Sequence, residues 1–140
     1  MQAWIIYALV AAVFAALVAV FGKLGVSKVD STLATTVRAL VSTTVLLVTS
    51  LLLGKFSLLN TIDSKSFKFI VLAGIAGAVS WIFYFLALKT GPASGVAGLD
   101  RLSLIFVLIL GALFLSESIT IKGVLGIILI TAGTVLLILK

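Results

Sequence analysis

Apolar residues fill this chain in five long runs, separated by short polar joints. The runs cover roughly 3–22, 32–53, 67–88, 93–115 and 121–139. Uncharged stretches of this length predict membrane-spanning helices. Twenty residues of helix reach about 30 Å, the thickness of the hydrocarbon core. The residues flanking the runs agree with that reading. Trp4 and Tyr7 sit where an interfacial aromatic belt belongs. Asp30 or Ser31 suits the N-cap of the second helix. Pro92 suits the first position of the fourth, where its missing N–H does no harm. The longest joint, 54–66, holds Lys55, Asp63 and Lys65. The first run has no Lys or Arg ahead of it and exceeds the apolar core of a signal peptide, so it is expected to stay as a helix.

Composition narrows the class. The chain has 140 residues, of which 63% are hydrophobic and 10% charged, and its mean hydropathy is +1.44. A soluble domain carries about 25% charged residues. Too few charges remain here to coat a soluble surface, whereas a helix bundle in lipid needs no such coat. The expectation is one all-α integral membrane domain over 1–140, with no second domain. Cys and His are absent. That excludes disulfides, Cys/His metal sites, thiol nucleophiles and Ser-His-Asp arrangements. No metal, cofactor or catalytic residue is expected, and an enzyme is not.

The net charge is +6. The lysines stand singly at helix ends, the pattern of anchors touching anionic lipid headgroups. No contiguous basic face exists for nucleic acid. Five spans put the two chain ends on opposite sides of the bilayer. Lysine bias in the joints normally sets which side is which. Lys23, Lys28, Lys89 and Lys140 fall on one side, and Lys55, Lys65, Lys68 and Lys122 on the other. The tie leaves two readings: other signals decide, or the protein inserts both ways.

Charges inside hydrocarbon cost about 2.5–3.5 kcal/mol each on insertion scales, so each needs a reason. Three stand inside the runs: Arg38, Asp100 and Arg101. Neighbours on a helix diverge by about 100°, so Asp100 and Arg101 do not face each other. Arg38 and Asp100 lie at similar depth from helix starts on the same side. An ion pair between them could act as a gate or coupling site, or fix helix register, or Arg38 could snorkel to headgroups. Ser31, Thr35, Arg38, Ser42 and Thr49 form a polar stripe on the second span. Ser80, Trp81 and Tyr84 share a face of the third with Gly77, and Asp100 and Ser103 share one on the fourth. These are the candidate substrate or coupling residues. Trp81 and Tyr84 could hold a cationic or apolar moiety. The stretch GPASGVAG, 91–98, fits either a loosely wound half-helix lining a site or a tight helix crossing. Glu117 is placed to favour the N-terminus of the last helix and cap it.

The segment 85–137 resembles the last two spans of an EamA domain, of the drug/metabolite transporter superfamily. Ala87 and Leu88 close the third span, and a Ser-containing small-residue turn follows. Glu117 then precedes a Gly-rich final span. Arg38 also fits the family's Arg early in the second span, and the resemblance extends over about 5–139. Many members carry Pro in span four where Asp100-Arg101-Leu102-Ser103 stands here; single-domain members resemble this chain in having Asp-basic-Leu-Ser. Most characterised relatives hold two five-span repeats in inverted orientation. The resemblance therefore implies one half of an inverted-repeat transporter. It would work as an antiparallel homodimer with itself, by analogy with the small multidrug resistance proteins. It further implies export or exchange of a small-molecule substrate (metabolite, amino acid or drug) by alternating access. Asp100 itself could load a proton, which makes protons or another ion the candidate coupling partner. The setting would be the plasma membrane of a bacterium or archaeon. The alternative from another class is a non-transporting membrane scaffold or assembly subunit. A channel is disfavoured because no ring of like charges appears.

Overall fold

The structure is a computed structural model that describes residues 2–139. Lys140, counted in the charge tie, lies outside the described residues. The described elements are α1 (Ala3–Val26), α2 (Ser31–Leu52), a 3-10 helix (Lys55–Thr61), α3 (Ser64–Thr90), α4 (Ala93–Asp100), α5 (Ser103–Phe114) and α6 (Ile121–Ile138). No strand occurs among the described residues. Five spans are long and apolar enough to cross a membrane, α4 and α5 together forming the fourth, Ala93–Phe114. The fold class expected from the apolar runs is the one observed.

Helix ends follow local chemistry. Asp30 settles the N-cap of α2, its Oδ1 accepting from the amides of Thr32 (2.9 Å) and Leu33 (3.0 Å). Asp63 does the same for α3 through Oδ2, from Lys65 N at 3.2 Å and Ser66 N at 3.4 Å. That cap starts α3 at Ser64, three residues ahead of the apolar run. Hydrogen bonding from Ser66 holds the Asp63 carboxyl below its ordinary value. α1 runs four residues beyond Gly22, with Lys23 in its last turn, where a cation suits the helix dipole. The joint after α2 is also more ordered than expected. Gly54 turns the chain at φ 63°, a left-handed conformation easy for glycine, and the 3-10 helix follows against the end of α2.

The chain divides into two compact units. The first holds α1 up to Lys23 with α4, α5 and α6. Here α4 lies tightly on α6. A Cβ on Gly98 would meet Leu137 Cδ1 at 3.3 Å and Thr134 Cγ2 at 3.4 Å, and one on Gly95 would meet Ile138 Cγ1 at 3.9 Å. Small residues let backbones approach this closely. Of the two readings of 91–98, the tight crossing is the one realised: Ala93–Asp100 is regular α-helix. Lys23 Nζ donates to Gly91 O at 2.9 Å, tying α1 to the turn before α4.

The second unit, Leu24–Lys89, holds the end of α1, α2, the 3-10 helix and α3. Its buried residues are Val26, Ser31, Thr35, Phe85 and Leu88. Lys89 Nζ donates to Val29 O at 3.1 Å, closing the end of α3 onto the α1–α2 turn. In both units most large apolar side chains point outward, as lipid-facing helices require: Leu129 is 73% exposed and Leu46 67%.

Candidate functional site

Threonine hydroxyls on α2, within the polar stripe (Thr35, Thr49) and beside it (Thr36, Thr44), first satisfy themselves. Thr35, Thr36, Thr44 and Thr49 each donate to the carbonyl four residues back, at 2.8–2.9 Å. Such bonds let threonine live in a span where no water offers a partner. Ser31 and Thr35 are buried and Arg38 and Ser42 half-buried, so these four form the inward face. Thr49 is exposed and stands off it.

Arg38 meets the inward face of α3. Its guanidinium carbon lies 4.0 Å from the centre of the Trp81 ring and 5.6 Å from that of Phe85. A cation over an aromatic face gains about 0.5–2 kcal/mol, more where water is excluded. The stack thus answers part of the cost of a charge in a span. An aromatic ring supplies no conventional hydrogen-bond acceptor for the five N–H groups of a guanidinium. Arg38 Nη1 is shielded from solvent and has no hydrogen-bond partner among the described residues. A buried donor left in that state costs about 1–3 kcal/mol, and more when charged.

The structure therefore brings Arg38, Thr35 and Trp81 to one face and adds Phe85, which the sequence reading did not single out. Phe85 stands one helical turn after Trp81, so the spacing that chose Trp81 also reaches it. Tyr84 is half-buried with its ring centre 6.3 Å from that of Phe85, while Ser80 is exposed. One face of Trp81 is covered by the protein's own Arg38.

Asp100, Arg101 and Ser103 lie in the other unit, where the fourth span changes its hydrogen bonding. Arg101 N donates to Gly98 O (3.0 Å), Leu102 N to Leu99 O (2.9 Å), Leu104 N to Arg101 O (3.1 Å) and Ile105 N to Leu102 O (3.0 Å). These bonds reach three residues back where an α-helix reaches four, so the turn is tightened. Gly98 O also accepts from Thr134 Oγ1 at 3.2 Å, and Thr134 is buried on α6. The irregular turn sits at 101–102, after the glycine-rich stretch. Asp100, Arg101 and Ser103 are all exposed. They fall within about 5 Å, along the axis, of the middle of the Ala93–Phe114 span.

The cap expected of Glu117 is made by another residue. Thr120 is the N-cap of α6, accepting from Gly123 N at 3.1 Å. The Glu117 carboxylate leans instead on α5, with Oε2 2.9 Å from where a Cβ of residue 111 would stand. The amides of Leu115 and Glu117 both donate to Gly111 O, and Ser116 between them takes a left-handed φ of 55°.

The model of the EamA-like transporter family matches residues 2–139. The chain belongs to this family. A relative from Sinorhizobium sp, described as an uncharacterized transporter in the cobO 3' region, is 41% identical over 136 residues, covering 97% of this chain and 96% of that protein. No solved structure matches. An EamA-like transporter of five apolar spans is an integral membrane transporter, which agrees with the expectation that the chain is not an enzyme. Among the described residues no group of three His, Cys, Asp or Glu side chains could hold a metal ion.

Proposed function

We propose that this EamA-like protein is a secondary transporter for small metabolites, amino acids or drugs. It exports or exchanges its solute as an antiparallel homodimer that alternates access to the two faces of the bilayer. The observation that carries this reading is the exposed pair Asp100 and Arg101 near the middle of a spanning helix. Charges there cannot face lipid cheaply, so something polar covers them. A two-fold axis in the membrane plane inverts depth and leaves only the midplane unchanged. An inverted second copy would therefore bring its own Asp100 and Arg101 to the same level, around a midplane site of the kind inverted-repeat carriers use. The balanced lysines and a relative of matching length support the same assembly. Asp100 would be the group that takes up and releases a coupling proton.

The natural absence of cysteine makes the test direct. Ser103→Cys should link two copies through a short bifunctional thiol reagent in native membranes. Reporters fused to the C-terminus should show both orientations. A single orientation together with no cross-link would sink the antiparallel assembly. Vesicle transport by Asp100→Asn tests coupling: flux with the parent's pH dependence would remove Asp100 from that role.

A further inference from the structure

Resting on the transporter reading, we infer that the solute bears a carboxylate and that the free edge of the Arg38 guanidinium receives it. The guanidinium carbon lies 4.0 Å from the centre of the Trp81 ring and 5.6 Å from that of Phe85, which places the group against α3. Its Nη1 is buried and unpartnered among the described residues. A guanidinium held in this way offers parallel N–H donors in a rigid fork, the geometry that fits two oxygens of one carboxylate. Thr35 stands about one turn earlier on the same face but has committed its proton to Ser31 O at 2.8 Å. Its oxygen can accept a hydrogen bond and cannot offer one to an anion, so recognition of the negative end falls to Arg38. A cationic solute meets the opposite situation. Arg38 repels it, and the guanidinium already covers one face of Trp81.

Trp81 doubles as the reporter. The chain has two tryptophans, so Trp4→Phe leaves one indole, beside Arg38. The purified full-length Trp4→Phe protein in a nonionic detergent is titrated with hexanoate, N-acetylleucine and succinate. Each is paired with its neutral amide: hexanamide, N-acetylleucinamide and succinamide. At least one acid should change the Trp81 emission saturably, with a midpoint about ten-fold or more below that of its amide. Arg38→Gln should abolish the acid response, and Arg38→Lys, which keeps the charge without the fork, should weaken it. Amides that match their acids, no acid response, or an unchanged response in monodisperse Arg38→Gln would each overturn the inference. The amide comparison on the unaltered site holds even if Arg38→Gln fails to fold. Dihexanoyl phosphatidylglycerol is the lipid control: displacement of the acid at an equal or lower midpoint would make Arg38 a headgroup anchor and overturn it as well. Flux in proteoliposomes separates the two layers. Transport without preference for acids discards the carboxylate and keeps the transporter, whereas acid binding without flux keeps the site and discards transport.

Discussion

Single residues of this chain answer for charge or hydrogen bonds that lipid cannot satisfy. Arg38 does so by stacking, and the sequence disclosed its exceptional position but not its partner. The reason is contrast. A charge stands out in an apolar run, whereas Phe85 is one more apolar residue among its neighbours and becomes visible only through its spacing from Trp81. Ser116 was invisible for another reason: nothing in SESIT announces a left-handed residue, a place usually given to glycine or asparagine. Ser116→Val should lower stability in detergent by about 1–2 kcal/mol, and Ser116→Gly should match or exceed the parent, read by thermal unfolding. At Asp63 the folded carboxyl titrates below its ordinary value of 3.8. Its cap therefore stabilises α3 in full above that value and is lost as pH falls through the lowered one. Amide exchange at Lys65 and Ser66 should accelerate, relative to the rest of α3, as pH falls below about 4. In Asp63→Asn that extra pH dependence should vanish.

Among the elements, helix existence was the most legible feature and helix interruption the least. All five spans stand where the apolar runs put them, with ends moved by caps. The switch between α4 and α5 could not be read from its own residues, because the bond that accompanies it comes from Thr134, far along the chain on α6. Thr134→Val keeps the shape and deletes the hydroxyl. It should cost about 0.5–1.5 kcal/mol and slow amide exchange at Leu102, as the turn relaxes toward regular α-helix. The α4–α6 contact is the complementary test. Gly98→Leu cannot fit beside Leu137 and Thr134 without displacing one helix, and should cost about 1–3 kcal/mol in thermal unfolding.

For the whole molecule the antiparallel assembly proposed above makes orientation the governing quantity. Replacing Lys55 and Lys65 with Gln leaves four lysines on one side and two on the other by the sequence tally, which should turn most copies to a C-terminus-inside orientation. Transport by that variant alone should fall steeply, and co-expression with Lys23→Gln/Lys28→Gln, biased the other way, should restore it. Reporter fusions check the orientation and vesicle flux the rescue. The membrane class and the family were legible because composition and run length are properties of the entire chain, whereas the facing of individual spans is not. Span four shows the difference. Each residue of a tightened turn advances about 120° around the axis, against about 100° in an α-helix. Over the few residues of the switch the angular phase slips by about 40–60°. A helical wheel drawn straight through puts Val96 and Val107 on one side; in the folded chain Val96 is buried and Val107 is 58% exposed. Any scan of this span by periodic substitution has to reset its count at Leu102.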